Sequence, residues 1–307
     1  MNDFNIISIS ENEIDSIEQL GTKYKFWFKK DDIDSLFKRG RENTGENWVE
    51  VVVSKIFEQL NIPHANYYFA EFGDNIGTVC ETFVPAGARL THGNELLARA
   101  YERIEEDYDI TSYYRVRKYN LRLIILILND IKLLPAFDLI AHDYCESASD
   151  MFIGYIIMDC LISNQDRHHE NWGLIRYGNT IFLAPSYDHA SGLGSKVSDE
   201  DKEKRLKTKD LQFNVASFVK KAKTPFYDNK GKILKTIDSV KLCGKINKKT
   251  TIMWLEKIET LDINEIERGF LQIPTDLMSD ISKVFAIKML NENMKRLAIF
   301  KEELLNE

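Results

Sequence analysis

The sequence has 307 residues, of which 44% are hydrophobic, 29% charged and 11% aromatic, and its formal net charge is -7. This composition is typical of a globular protein long enough for two hydrophobic cores, and it excludes the collagenous, disordered and disulfide-scaffold classes. The acidic balance provides no overall positive field that would collect phosphates. We therefore expect no direct binding of nucleic acid.

The four cysteines, Cys80, Cys145, Cys160 and Cys243, lie far apart and form no CxxC pair. This spacing argues against a zinc site and a disulfide framework, and it is typical of a protein of the reducing cytoplasm. The N-terminus has no basic segment ahead of an apolar run, so no secretory signal is expected. The longest apolar run, 123–128, is far shorter than the roughly 20 residues of a membrane helix. We therefore expect a cytoplasmic protein without a membrane partner.

The first ninety residues are predicted to form the order β-β-α-β-β. Aromatic residues on both sides of Asp31 and Asp32 indicate a first hairpin, and a turn around Gly73 indicates a second. Between the hairpins, apolar residues recur at helical spacing from Trp48 to Leu60, and Pro63 lies just beyond. The predicted strands cover 23–30, 33–38, 67–72 and 78–84, and the predicted helix begins at Asn47.

From about residue 94 the pattern becomes helical. The predicted helices cover 94–107, 113–132, 135–145 and 149–162, and residues 245–307 are helical again. The sequence contains no internal repeat, so the order of elements carries the architectural argument. We predict an α+β fold with a small β-rich N-lobe over 1–90 and a larger α-helical C-lobe over 91–307.

The segment 164–171, Asn-Gln-Asp-Arg-His-His-Glu-Asn, is dense in groups that bind metals or move protons. A predicted hairpin of strands 173–177 and 180–183 follows it, and Asp188 comes directly after that hairpin. This order suits phosphoryl transfer, which depends mostly on positioning and on charge neutralisation by magnesium. Asp166 would reach the acceptor hydroxyl, while Asn171 and Asp188 would hold magnesium.

The spacing of Asp166 and Asn171 equals the DxxxxN spacing of the protein-kinase catalytic loop, although the HRD triplet is absent. Residues 164–172 and 183–188 together resemble the catalytic loop and metal-binding segment of HipA-like serine/threonine kinases, specifically the short, single-module members. The resemblance spans most of the chain. It implies a bilobal protein-kinase-like fold, ATP and Mg²⁺ as cofactors, Asp166, Asn171 and Asp188 as catalytic residues, and Asn171 and Asp188 as metal ligands.

The small lobe resembles the same family. The segment 35–38 is similar to the strand that carries the nucleotide-binding lysine, here Lys38, and Glu50 is similar to the glutamate that holds it. The segment Glu81-Thr82-Phe83 resembles the hinge whose backbone contacts adenine. The resemblance therefore implies Lys38, Glu50, Glu81 and Phe83 as nucleotide-binding residues.

Two segments depart from the pattern of ordinary kinases. Gly21-Thr22-Lys23 offers a single glycine in place of a Gly-rich phosphate loop. Asp188-His189-Ala190 replaces the DFG triplet, so the carboxylate is kept and the Phe that sets active and inactive states is absent. Regulation through that Phe is not expected.

Several of these residues have a competing structural interpretation. Asn47 and Glu50 also match a capping box at a helix start, and Lys38 also matches a solvated lysine at a strand end. Asp166, Asn171 and Asp188 are residue types frequent in turns and caps. His168 and His169 accompany no metal-binding spacing, and we expect His168 to orient the loop.

The charged stretch 196–209 lies where a kinase activation segment would be, and its alternative interpretation is a mobile solvated loop. The hydroxyls near it that autophosphorylation would use are Ser191, Ser195, Ser198 and Thr208. The sequence does not choose among them.

The sequence predicts an ATP- and Mg²⁺-dependent serine/threonine kinase with a protein substrate. The resemblance further implies a growth-inhibiting toxin of a toxin-antitoxin system, with an antitoxin-like partner, although some short relatives act on host cells instead. Two alternatives stay open. A lipid or small-molecule kinase is one, because DRHxxN resembles the loop of phosphoinositide kinases and aminoglycoside-type phosphotransferases share DxxxxN. A nucleotide-binding pseudokinase is the other.

Overall fold

The structure is a computed structural model that describes residues 4–18, 23–102, 119–133 and 145–307. The candidate phosphate-loop residues Gly21 and Thr22 lie outside the described residues, as does most of the predicted helix 135–145. The chain forms two compact units. The first contains Met1–Phe83, Asp188–Phe218 and Leu261–Glu292, and the second contains Val84–Tyr187, Val219–Thr260 and Asn293–Glu307.

The secondary structure of the described residues is mixed α and β. The strands are β1 (Ile6–Ile9), β2 (Ile14–Ile17), β3 (Lys25–Lys30), β4 (Ile33–Arg39), β5 (Tyr67–Phe72), β6 (Asn75–Glu81), β7 (Arg89–His92), β8 (Lys132–Leu133), β9 (Gly173–Tyr177), β10 (Thr180–Leu183), β11 (Lys223–Tyr227) and β12 (Ile233–Lys235). The helices are α1 (Glu46–Gln59), α2 (Gly93–Glu102), α3 (Leu121–Leu128), α4 (Ala148–Ile162), α5 (Asp199–Lys207), α6 (Val215–Lys221), α7 (Thr236–Ile246), α8 (Lys248–Glu259), α9 (Ile263–Gln272) and α10 (Asp280–Asn306).

The first unit is built on a six-stranded sheet with the order β1-β5-β6-β4-β3-β2. Strands β1 and β5 pair in parallel, and the other described strand pairs of this sheet are antiparallel. Asp31 and Asp32 both have positive φ, 51° and 63°, so the β3–β4 turn matches the twist of the strands that it joins. Phe26, Phe37 and Val79 are fully buried in the core of this sheet, and the first two rings stack at 4.9 Å. Helix α1 contacts β5 and β6 through its buried apolar side chains.

The second unit is organised around α4, in which every residue is buried. Helices α3, α7 and α8 pack on α4, which explains why its sequence is apolar on all sides. Ser147 and Asp150 form a capping box at its start, and Ser163, with φ of 53°, ends it in the left-handed conformation. A four-stranded sheet with the order β7-β9-β10-β8 contains the predicted hairpin of β9 and β10. The segment 164–171 therefore lies between the buried helix α4 and strand β9, so regular structure holds it at each end.

The structure differs from the sequence prediction at several places. Helix α3 covers Leu121–Leu128 and β8 begins at Lys132, so the predicted helix 113–132 is wrong over 119–120 and 129–132. Strands β1 and β2 extend the N-terminal sheet beyond the four predicted strands. The charged stretch 196–209 contains helix α5, capped by Ser198, so the interpretation as a solvated loop is wrong over 199–207. The hairpin of β11 and β12 was not anticipated.

None of the described helices combines the length and the apolar character that a bilayer span requires.

Candidate active site

The loop that follows α4 is anchored by a buried ion pair. Arg167 and Asp159 are almost fully buried, and the guanidinium donates two hydrogen bonds of 2.8 Å, from Nε to Oδ2 and from Nη2 to Oδ1. A bidentate pair of this kind fixes orientation as well as position. Burial alone would lower the pKa of Arg167, but the Asp159 carboxylate more than offsets this, and the pKa is raised.

The same guanidinium also forms hydrogen bonds with Asn171 and with the residues just before Asp188. Nη1 donates to the carbonyl of Asn171 at 2.9 Å and to the carbonyl of Tyr187 at 3.3 Å. Nη2 also donates to Ser186 Oγ at 2.9 Å. Arg167 thus holds the end of the DxxxxN loop and the residues before Asp188 with one side chain.

Asp166 and Asn171 are joined directly. Asn171 Nδ2 donates to the Asp166 carbonyl at 2.7 Å, and the Asp166 N–H donates to Asn164 Oδ1 at 3.2 Å. Because the carbonyl can only accept, the amide orientation of Asn171 is fixed, with Oδ1 as its remaining acceptor. The Asp166 side chain is partly exposed, and His168 Nε2 lies 3.9 Å from its Oδ1.

Aromatic side chains also hold this loop in place through hydrogen bonds to its backbone. Tyr119 Oη donates to the Arg167 carbonyl at 2.8 Å and accepts from Trp172 Nε1 at 2.8 Å. Tyr187 Oη donates to the Glu170 carbonyl at 3.0 Å. Burial, with a smaller effect of His168, lowers the pKa of His169 to about 4, so His169 is a neutral packing residue at physiological pH.

Lys38, Glu50 and Asp188 come together in the first unit. Burial acts to lower the pKa of Lys38, but the carboxylates of Asp188 and Glu50 more than compensate, and the pKa is raised. Lys38 is therefore an ammonium group, and its Nζ lies 5.7 Å from the centre of the Tyr67 ring. The structure thus brings together three of the residues that the sequence selects.

Glu50 does not belong to a capping box. Helix α1 begins at Glu46 with Gly45 as its N-cap, so Asn47 lies inside the helix and the capping interpretation is wrong. Instead, Glu50 Oε2 accepts a hydrogen bond of 2.8 Å from the N–H of His189. Burial raises the pKa of Glu50 to about 7, and Asp188 adds to this rise while Lys38 opposes it.

Asp188 is held in an unusual backbone conformation. Its φ is 57°, in the left-handed region that aspartate adopts more readily than most residues. Its N–H donates to Tyr67 Oη at 3.2 Å, and burial raises the pKa of Tyr67 far above its ordinary value. Tyr67 and Asp159 are positioning residues that the sequence analysis missed, because an aromatic on a strand and an acid in an apolar helix carry no local motif.

The hinge candidates lie at the end of β6. The carboxylate of Glu81 faces Tyr68 Oη at 3.4 Å and Lys30 Nζ at 3.9 Å. The N–H of Thr82 donates to the Asp34 carbonyl at 2.8 Å, and Phe83 is the last residue before the chain enters the second unit. Glu81 is the last residue of β6 and lies opposite Ser35 of β4, three residues before Lys38, whereas Phe83 lies two residues beyond the end of β6.

Two of the predicted site residues carry oxygen donors of the kind that magnesium prefers. The carboxylate of Asp188 and the amide oxygen of Asn171 are ligand types that Mg²⁺ prefers, and Mg²⁺ normally takes only one or two of them beside phosphate oxygens and water. In the described part of the chain, no cluster of three His, Cys, Asp or Glu side chains could hold a metal ion by itself.

No protein-family model matches the sequence, and no curated protein matches it. Its structure is similar to that of the proinflammatory kinase CtkA of Helicobacter pylori, with a TM-score of 0.77, 20% identity and coverage of 97% of this chain and 98% of that chain. It is also similar to HipA of Shewanella oneidensis MR-1, solved with HipB and operator DNA, with a TM-score of 0.60, 12% identity and coverage of 95% of this chain and 67% of that chain.

These similarities concern the fold. The chain has the α+β, bilobal kinase fold of HipA and CtkA, and the predicted fold class and the resemblance to HipA-like kinases are confirmed at this level.

Proposed function

We propose that this chain is a kinase that uses ATP and Mg²⁺ to phosphorylate serine or threonine in a protein. The observation that carries the proposal is the DxxxxN loop, in which the Asn171 amide is fixed by the Asp166 carbonyl and both ends are held by Arg167. Phosphoryl transfer needs groups held in place more than it needs covalent chemistry, and this loop meets that need.

Asp166 is the proposed residue that orients or deprotonates the acceptor hydroxyl. Its carboxylate is partly exposed, so an acceptor can reach it, while its backbone is fixed on both sides. A positioned general base of this kind contributes about 10²- to 10⁴-fold to rate.

Asn171 and Asp188 are the proposed Mg²⁺ ligands. Asn171 offers Oδ1 because its Nδ2 is already used, and Asp188 offers a carboxylate beside the Lys38 ammonium. Bound magnesium would neutralise charge on the phosphates during transfer.

Lys38 and Glu50 are the proposed phosphate-positioning pair. The Lys38 ammonium is charged and is attracted by the carboxylates of Asp188 and Glu50. An ammonium in this position can neutralise nucleotide phosphates. Glu81 and Phe83 are proposed for the adenine hinge, because Phe83 is the last residue of the first unit's N-terminal segment. In this proposal the N-lobe covers 1–90 and the C-lobe 91–307.

Label from γ-labelled ATP tests the reaction and its acceptor class together. The purified chain is incubated with Mg²⁺ and, in parallel, with a bacterial protein extract, phosphoinositide vesicles and a panel of small alcohols and aminoglycosides. We expect label on serine or threonine of protein, and loss of label in Asp166→Asn but not in Asp130→Asn, an exposed aspartate of the same unit. Label in lipid or small molecules would contradict the protein acceptor, and ATP binding with no product in any arm would favour a pseudokinase.

The proposal also includes a neutralising partner and a cytoplasmic setting. The Shewanella neighbour was solved with its antitoxin HipB, which supports a toxin-antitoxin role for this chain. Its four cysteines are free, which suits the reducing cytoplasm where ATP is available. Growth arrest on expression of wild type but not of Asp166→Asn tests the toxin role, and normal growth with active kinase would favour a different biological setting.

A further inference from the structure

The hairpin of β11 and β12 carries a local positive charge on an acidic protein. Residues 223–235 contain four lysines and one aspartate, whereas the whole chain has a formal net charge of -7. All four lysines are exposed. We call this segment the lysine hairpin, with its lysines Lys223, Lys230, Lys232 and Lys235.

The described contacts of these lysines do not account for this charge. Lys223 and Lys235 are directly opposite each other on the two strands, and like charges in that position are destabilising. The one acid of the segment, Asp228, binds the backbone: its Oδ1 accepts from the N–H groups of Lys230 and Lys232 at 2.9 Å each. Within the described residues, none of the four lysine side chains forms an ion pair with a carboxylate.

The lysine hairpin is fixed beside the candidate catalytic loop. The N–H of Lys223 donates to Gln165 Oε1 at 3.4 Å, and Gln165 is the residue before Asp166. Phe226 stacks on Tyr119 at 4.8 Å, and Tyr119 Oη donates to the Arg167 carbonyl. The N–H of Tyr227 also donates to the Tyr119 carbonyl at 2.9 Å. The positive surface therefore has a defined position next to the residue that would receive the acceptor hydroxyl.

Two neighbouring lysines have a structural explanation and are left out. Lys220 and Lys221 occupy the last turn of α6, where positive charge complements the helix dipole. Lys223 and Lys235 have no such explanation, because each lies in a strand opposite another lysine.

We propose that the lysine hairpin binds acidic residues of the protein acceptor, so that the phosphorylated serine or threonine lies in an acidic segment. The inference rests on the proposed kinase function and names its substrate class. Carboxylates of the acceptor would bind next to Lys223 and Lys235 and reduce the repulsion between these two ammonium groups. The acceptor hydroxyl would then lie at Asp166. Charge complementarity of this kind contributes to the choice of partner and to the rate of association.

Binding of two peptides without ATP tests the surface independently of catalysis. One peptide carries a serine within a run of glutamates, and the other has glutamine in place of each glutamate. At low salt we expect the acidic peptide to bind about tenfold more tightly, with the difference shrinking as salt is added. Equal binding of the two peptides by wild type would overturn the proposal, and so would tight binding of a single-stranded oligonucleotide without a preference between the peptides.

Variants of the hairpin separate binding from folding. Lys223→Glu with Lys235→Glu should abolish the preference. Lys235→Glu alone should weaken acidic-peptide binding while leaving the unfolding temperature unchanged or higher, because it creates an opposite-charge pair with Lys223. Lys235 directly precedes α7, and Lys248 is likewise an exposed lysine at a helix start, so Lys248→Glu is the matched control and should bind like wild type. Unchanged acidic-peptide binding by the double variant would contradict the assignment.

Phosphorylation of the same peptides separates this inference from the kinase proposal. We expect a lower KM for the acidic peptide in wild type and loss of that advantage in the double variant. Transfer to both peptides with equal KM would overturn the acidic preference and leave the kinase proposal standing. Tight, hairpin-dependent peptide binding with no transfer to any acceptor would contradict the kinase proposal and leave the surface standing.

Discussion

The two groups of candidate residues are stabilised in opposite ways. The buried guanidinium of Arg167 pairs with the Asp159 carboxylate and donates to three further acceptors. These hydrogen bonds hold the loop in place before any substrate binds. Around Lys38, two carboxylates share one ammonium, and the pKa of Glu50 is raised to about 7 as a result of burial and of Asp188. The first group is pre-organised, whereas the second has an excess of negative charge that bound magnesium would reduce.

The largest effect is expected from breaking the pre-organised group. Arg167→Leu leaves the Asp159 carboxylate buried without its partner, and loss of one member of a buried pair costs about 3–5 kcal/mol. Urea unfolding should show this loss, and phosphoryl transfer should fall with it. Arg176→Leu, an exposed arginine on β9, is the control and should change the free energy of unfolding by about 0.5 kcal/mol or less. Equal stability of the two variants would contradict the anchoring role of Arg167.

The second group should respond in activity more than in stability. Lys38→Met removes the ammonium next to Asp188 and Glu50, and we expect about a 10²-fold loss of kcat/KM for ATP. Steady-state kinetics at saturating acceptor measure it. Lys29→Met, on the exposed side of β3, should keep the wild-type value. A Lys38→Met enzyme with unchanged kcat/KM would show that Lys38 does not contact the nucleotide.

The pH dependence of the free energy of unfolding tests the charge balance around Glu50. Folding raises the pKa of Glu50 from 4.5 to about 7, so the folded protein binds more protons than the unfolded chain between these values. Stability from protonated Glu50 is thus fully present below the unfolded pKa and is lost as the pH rises through the folded one. Glu50→Gln removes this titration. The free energy of unfolding of wild type relative to Glu50→Gln should therefore fall between about pH 5 and pH 8, and parallel curves would contradict the raised pKa.

The smallest effect is expected at Tyr67. Tyr67→Phe removes the acceptor for the Asp188 N–H, at a cost of about 1 kcal/mol, and loosens a residue held with φ of 57°. We expect a few-fold rise in the Mg²⁺ concentration needed for half-maximal activity. Tyr177→Phe, with the tyrosine 56% exposed, is the matched control. An identical Mg²⁺ dependence in both variants would remove Tyr67 from the positioning of Asp188.

The local parts of the structure could be predicted, and the long-range parts could not. The β9–β10 hairpin and the DxxxxN loop follow from neighbouring residues. Strand β1, by contrast, pairs in parallel with β5, about sixty residues later, and no local pattern indicates that partner.

Helix α5 shows a signal that was present and missed. It has no apolar stripe, but Ser198 caps it, three acids occupy its first turn and three basic residues its last turn. The true start of α1 depended on Gly45, whose N–H donates to the Ser195 carbonyl, a contact that residue spacing does not reveal. The Asp159 pair with Arg167 was likewise hidden, because both lie in segments whose sequence patterns indicated other roles.

The most direct test of the central claim is the mass of the intact chain after incubation with ATP and Mg²⁺, compared between wild type and Asp166→Asn. If the pre-organised loop positions an acceptor hydroxyl, wild type gains phosphate on serine or threonine, and the variant does so at least about 10²-fold more slowly. Peptide mapping should find that phosphate at an accessible hydroxyl such as Ser198 and not at Ser195, which is fully buried. Equal phosphate gain in both proteins would contradict the role of Asp166 and with it the mechanism proposed for this chain.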